Sequence, residues 1–176
     1  LRTRAVDMML AVDSVAEVEW VEMCPILRDP FILVAAPSAR ITGDLKQLAL
    51  LPCLRYASDL QIGRQIEAQL RRVGTEPSRG FEFTTNQALF AMTAEMGGWA
   101  ITTALAFLGT PMAKGKLVAH PVPFPRFARR LALHARAGTL GALPARFAEE
   151  LRVCIQARVL SRVSEELPFL SDDLEI

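Results

Sequence analysis

Two kinds of apolar segment alternate along nearly the whole chain, and this constrains its fold more than any other feature. The first kind is a short, nearly continuous run, such as Val6 to Val12 or Phe31 to Ala36 (FILVAA), the latter stopped by Pro37. Such runs have the length of strands. The second kind repeats an apolar residue every three or four positions, as at Ile62, Ile66, Leu70 and Val73. That spacing gives a helix one apolar face. Strand and helix signals in alternation favour an α/β layer architecture. The chain has 176 residues, 51% of them apolar. That suffices for one domain, or for one domain made of two small lobes.

The pattern fixes an expected order of elements. Val6 to Val12 reads as a strand buried on both faces. A mixed acidic stretch, 13–25, leads to the FILVAA strand. Asp44 is placed to cap a short helix, DLKQLALL, ended by Pro52. Cys53 to Tyr56 is a short strand, and Ser58 and Asp59 are N-cap candidates for the Ile62 helix, which Gly74 closes. Residues 80–84 (GFEFT) form a strand, Thr85 or Asn86 caps the next helix, and Gly97-Gly98 leads into the strand WAIT at 99–102. A helical turn at 104–108 precedes a proline-rich connector, 109–127, with one short strand at Leu117 to Ala119. RRLALHAR (129–136) alternates as a half-buried strand does. Pro144 suits the first turn of a last helix with Phe147, Leu151, Ile155 and Val159 on one face. The acidic tail from Glu165 to Ile176 is expected to be a poorly ordered end.

Composition excludes several functions. A net charge of +1 gives no basic face for nucleic acid. The runs Arg71-Arg72 and Arg126 to Arg130 are short and read as solvated positions. Cys24, Cys53 and Cys154 lie far apart with no CxxC and no Cys/His cluster, so zinc has no ligand set. They read as structural thiols in a reducing compartment, without a resolving partner for redox sensing. No apolar run approaches the roughly 20 residues that span a bilayer, and no secretory signal opens the chain. His120 and His134 are the only histidines, and neither belongs to a Ser-His-Asp order or a GxSxG elbow. Glycine-rich phosphate loops are absent too, so neither a catalytic set nor a cofactor is expected.

Two strand-to-helix turns carry chemistry of another kind. In open α/β sheets ligands bind beyond the carboxyl ends of strands, beside helix N-termini whose free N–H groups favour anions. The turn at Tyr56-Ala57-Ser58-Asp59 and the turn at Thr84-Thr85-Asn86 have that form, and Thr102 and Thr103 end a third strand. Ser58, Asp59, Thr85 and Asn86 serve either as plain helix caps or as ligand contacts. The charge of Asp59 would repel an anionic ligand.

The segments LRTRAVDMML, ILRDPFILVAAPSA, DLKQLALLPCLRYAS, LRRVGTEP and FEFTTNQALFAMTAEMGGWAIT resemble, in order and spacing, the effector domain of LysR-type transcriptional regulators. The resemblance covers nearly the whole chain. It implies a two-lobed, type 2 periplasmic-binding-protein-like fold, each lobe a small sheet flanked by helices, with two inter-lobe crossings. Lobe I would hold residues 1–35, lobe II 36–124, and 125–176 would return to lobe I. A small effector, an organic acid by expectation, would bind in the cleft against Val12, Ser58, Asp59, Gln61, Ile62, Thr84, Thr85, Asn86 and Thr102. Some relatives place a polar or cationic group at the position of Val12, so a valine implies a more apolar ligand or only a wall contact. Thr103 stands where many relatives have proline. The family's first lobe I strand and helix, its winged helix-turn-helix and its linker helix would precede Leu1. DNA is therefore expected only through that N-terminal part. The resemblance further implies a cytoplasmic homodimer or tetramer, no membrane and no metal. The rival reading with the same fold is the solute-binding protein of a transport system, marked by a signal peptide upstream instead of a helix-turn-helix.

Overall fold

The computed structural model describes residues 1–12, 18–75, 77 and 80–170. Its strands are β1 (Met8–Val12), β2 (Val21–Ala35), β3 (Arg55–Tyr56), β4 (Glu82–Phe83), β5 (Trp99–Thr103), β6 (Val118–His120) and β7 (Ala128–Arg136). Its α-helices are α1 (Leu45–Leu50), α2 (Gln61–Arg72), α3 (Asn86–Glu95), α4 (Ala104–Leu108) and α5 (Leu143–Glu166). The chain divides into two compact units. Unit 1 is Leu1–Pro30 with Ala128–Ile176, and unit 2 is Phe31–Phe127.

In unit 1, β7 is the middle strand. It pairs antiparallel with β1 on one edge and with the N-terminal part of β2 on the other. β2 begins at Val21, ten residues before the expected strand. Pro25 and Pro30 look like breakers in sequence, but each finds a tolerated place. The register shifts between Pro25 and Leu27, and here β2 is the outer strand, where a missing N–H costs no ladder bond. Pairing Asp29 with Arg129 across this ladder also joins their side chains. Arg129 donates from Nε and Nη2 to Oδ2 of the fully buried Asp29, at 2.9 and 2.8 Å.

Three expectations for unit 1 are corrected. β1 is not buried on both faces: among the described residues it pairs only with β7, and Met9 and Leu10 stand exposed. β7 is more than half-buried, because its neighbours and α5 cover Ala132 through Ala135, including the polar position His134. In α5, Phe147 points outward, while Pro144, Ala148 and Val163 are the buried positions. Strict steps of four turn by roughly 40° each around a helix, so the series does not keep to one face: Phe147 starts off the covered side, while Leu151, Ile155 and Val159 come round to half-buried positions. The chain is also placed beyond Glu165. α5 runs to Glu166, Leu167 is buried, and a 3-10 turn follows at Pro168–Leu170. The remaining expected tail, 171–176, and residues 13–17 of the acidic stretch lie outside the described residues.

Unit 2 orders its strands β4-β3-β5-β2-β6. β3 and β4 are parallel, a parallel bridge from Cys53 to Trp99 joins β3 to β5, and β2 runs antiparallel to β5 and β6. Phe31–Ala35 is buried throughout, as a continuous apolar run requires. Leu54, Leu89, Phe90 and Trp99 complete the core, and the Trp99 indole N–H donates to Leu48 O at 2.9 Å. Asp44 caps α1 through Lys46 N–H, as its position predicts. Past the end of α2, Gly74 adopts φ +69°, and Thr75 N–H reaches back to Leu70 O, a left-handed helix stop.

Candidate functional site

Three parallel strands of unit 2 each run directly into a helix: β3 into α2, β4 into α3, and β5 into α4. Their carboxyl ends therefore lie on one edge of the sheet, and the three helix N-termini open there. Ala57 N–H donates to Phe83 O at 2.9 Å, and Ser58 N–H reaches a Glu82 carboxylate oxygen at 3.4 Å. The turn at 56–60 and the turn at 84–86 are thus neighbours.

Tyr56 ties the edge together. Its hydroxyl donates to Asn86 Oδ1 at 2.8 Å and lies 2.8 Å from Thr102 Oγ1. With the phenol proton committed to Asn86, the Thr102 hydroxyl is the donor in the second bond. The carboxyl ends of β3 and β5 and the first residue of α3 are joined through one buried phenol. With Oδ1 accepting from the phenol, the Asn86 amide hydrogens point away from Tyr56. Sequence reasoning put Tyr56 in the turn but not among the site residues, since an aromatic closing a short strand reads as core. The signal was its polar tip, because a buried tyrosine hydroxyl needs partners.

The cap assignments separate. Thr85 caps α3, its hydroxyl accepting from Ala88 N–H at 3.3 Å, and Asn86 is instead the partner of Tyr56. Thr103 caps α4 in the same way. Ser58 and Asp59 do not cap α2: Leu60 holds the N-cap position with no side-chain bond. Asp59 and Ser58 sit one and two residues ahead of that position, and both side chains stand exposed. Asp59 uses its backbone oxygen, which accepts from Arg64. The N-cap Leu60 has no side-chain acceptor to offer the first-turn N–H groups of α2, at Gln61, Ile62 and Gly63.

Gly63 lets α2 start close to its own turn, since a Cβ there would lie 2.3 Å from Ala57 O. A narrow cavity behind Tyr56 is lined by Gly63, Ile66, Leu70, Trp99 and Ile101, and an Arg55–Glu67 ion pair closes its rim. Of the other expected site residues, Gln61 and Ile62 open α2 half-buried, Thr84 is exposed, and Thr102 is fully buried behind Tyr56. Val12 ends β1 in unit 1, half-buried opposite Leu131.

Among the described residues, no three His, Cys, Asp or Glu side chains gather. Burial pushes the Cys53 thiol up to about 12, which keeps it protonated and inert. No helix is long and apolar enough to cross a membrane.

The comparisons with known proteins agree with this geometry. No curated protein sequence matches the chain. An OxyR cysteine mutant from Corynebacterium glutamicum superposes with a TM-score of 0.75 at 20% identity, covering 94% of this chain and 53% of that one. A probable transcriptional regulator from Pseudomonas aeruginosa gives 0.69 at 19%, covering 87% and 51%. The CcmR regulatory domain from Synechocystis, in complex with 2-PG, gives 0.71 at 15%, covering 89% and 77%. The chain thus spans about half the length of the first two and about three quarters of the isolated regulatory domain. These likenesses identify the fold as the two-lobed, type 2 periplasmic-binding-protein-like one. The model of the LysR substrate binding domain matches residues 1–153, so the chain belongs to that family.

Proposed function

We propose that this chain is the effector-sensing part of a DNA-binding transcriptional regulator, and that its effector is a small organic acid held partly at the β3-β4-β5 edge of unit 2. Family membership supports the sensing role. The observation that carries the site is the buried Tyr56 hydroxyl linking Asn86 and Thr102 where two helix N-termini open. A carboxylate there would accept from the first-turn N–H groups of α2 and from the Asn86 amide. Ser58, Gln61, Ile62, Thr84 and Thr85 would line the same space. Asp59 and Glu82 would limit how much negative charge it takes.

A ligand shifts a conformational equilibrium only by its differential affinity for the two states. The effector would therefore act by adding contacts in one arrangement of the lobes, and the response would pass to DNA through a helix-turn-helix elsewhere in the parent protein. A homodimer or tetramer would be the acting form, in line with the common use of symmetric assembly.

The test is calorimetric titration with a panel of small organic acids, repeated on Ser58→Ala, Thr85→Val and Tyr56→Phe. Charged hydrogen bonds contribute roughly 1.5–3 kcal/mol each, so losing one weakens binding about tenfold or more. Melting temperatures taken alongside separate lost capping at Thr85 from lost binding. An acid that binds with unchanged affinity to all three variants would place the site elsewhere.

A further inference from the structure

We propose that Met9, His134 and Met23 form a binding site for a soft monovalent metal ion of the copper(I) or silver(I) class on one face of the unit 1 sheet. The inference starts from register. Met9 lies directly opposite His134 across β1 and β7, and Met23 lies directly opposite the same histidine across β7 and β2. Direct antiparallel partners share a face, with Cβ atoms roughly 4.5–5.5 Å apart. The three side chains therefore form one row across the strands, with the imidazole in the middle and a thioether on each side.

The second observation is the imidazole itself. His134 is 1% exposed, and its Nε2 is buried without a hydrogen-bond partner. Folded proteins seldom leave a buried ring nitrogen unsatisfied. With the ring proton on Nδ1, Nε2 presents a lone pair. The flanking methionines are 38% and 44% exposed, so the row has a route to solvent. Methionine is unbranched and polarizable, and its sulfur can swing towards the ring nitrogen.

Two thioethers and one imidazole make a soft donor set with no carboxylate. Such a set discriminates against magnesium and calcium, which take oxygen, and favours copper(I). Local charge permits a cation. Arg136 stands two residues along the same face, but its guanidinium is paired with Asp7 at 2.7 Å.

The test uses silver(I) as a redox-inert probe on the 176-residue chain carrying Cys24→Ala and Cys154→Ala. Cys53 remains as a thiol only 5% exposed, and the His134 nitrogen resonance distinguishes silver in the methionine row from silver at that thiol. The chain has two histidines, so imidazole nitrogen NMR resolves both, with His120 as the internal control. The expected result is one silver ion per chain, a shift of the His134 Nε2 resonance and of two methionine methyl resonances, and an unmoved His120. Met9→Leu and Met23→Leu are near-isosteric and keep the fold, and each should weaken silver binding about tenfold or more. The proposal is overturned if no silver binds, if the His134 nitrogen does not move on binding, or if the Met9→Leu Met23→Leu double variant binds as tightly as its parent.

Discussion

The two tryptophans of the chain fall one in each unit. Trp99 is buried in the centre of unit 2 with its indole N–H bonded, whereas Trp20 in unit 1 is nearly half exposed. The contrast extends to the surroundings. Among the described residues of unit 2 the large apolar side chains left exposed are Leu50, Phe81 and Val118. The smaller unit 1 exposes Val6, Met9, Leu10, Trp20, Met23, Leu143, Phe147 and Val153. Apolar content alone does not explain the contrast, since β1 (MMLAV) is apolar throughout and still leaves Met9 and Leu10 exposed. Coverage does: among the described residues, the strands of unit 2 lie among four α-helices and two 3-10 turns, and those of unit 1 have α5 and one 3-10 turn. Burial of apolar area is what stabilises a fold, so unit 2 should be the more stable unit and unit 1 should depend more on its polar contacts.

The strongest way to break this contrast is to remove the buried ion pair of unit 1. Asp29→Ala leaves the Arg129 guanidinium, itself mostly covered, without its carboxylate. Removing one partner of such a pair costs about 3–5 kcal/mol when both are buried, and the partial exposure of Arg129 favours the lower end. Amide exchange of β7 should accelerate accordingly. Emission of Trp99, isolated in a Trp20→Phe background, should keep its urea midpoint. A common midpoint shift at both probes would mean that the units unfold as one and that the contrast is not energetic.

A change confined to unit 2 comes next in size. Gly63→Ala puts a methyl 2.3 Å from Ala57 O, a backbone atom that cannot step aside. Overpacking of this kind costs typically 1–3 kcal/mol. The Trp99 urea midpoint should fall, and α2 should lift from its turn, so acid binding at the proposed site should weaken with it. A stability loss with unchanged affinity would separate α2 from the site.

How much of this was legible in the sequence follows the same division. Elements whose signals are local came through: the FILVAA strand, the Asp44 cap, the Gly74 stop and the Thr85 cap all depend on residues within a few positions of one another. What failed depends on distant neighbours. Pro25 and Pro30 lie within a strand because β2 is an outer strand in unit 1. Met9 and Leu10 are exposed because nothing among the described residues pairs with the far edge of β1. Ser58 and Asp59 looked like caps, but the helix begins two residues later. At the site, the sequence identified the turns, while the part of Tyr56 emerged only once Asn86 and Thr102, 30 and 46 residues away, were brought to it.

A smaller effect is expected from pH, and it should appear in unit 2. Burial lowers the His120 pKa from its ordinary value of 6.5. A histidine depressed in the folded state binds its proton more readily when unfolded. Its contribution is therefore fully present above pH 6.5 and is lost as pH falls towards the folded value. His120→Gln should flatten this acid-side decline in the Trp99 midpoint and leave the neutral value nearly unchanged. An identical slope in the variant would assign the decline to carboxylates instead.

The smallest effect should come from the residue that the helical spacing of α5 made most prominent. Phe147 heads the apolar series Phe147, Leu151, Ile155 and Val159, and a buried phenylalanine truncated to a small residue would cost about 3–5 kcal/mol. Its ring is 44% exposed, however, and the inward positions of that stretch are Pro144 and Ala148. An exposed side chain away from special contacts changes stability by no more than about 0.5 kcal/mol when replaced. Phe147→Ser should therefore leave β7 amide exchange almost where it was, whereas Ala148→Ser, which sets a hydroxyl into a fully buried position, should accelerate it. Reversal of that order would mean that Phe147 is covered in solution, and the uncovered surface that distinguishes unit 1 from unit 2 would shrink by its largest aromatic member on α5.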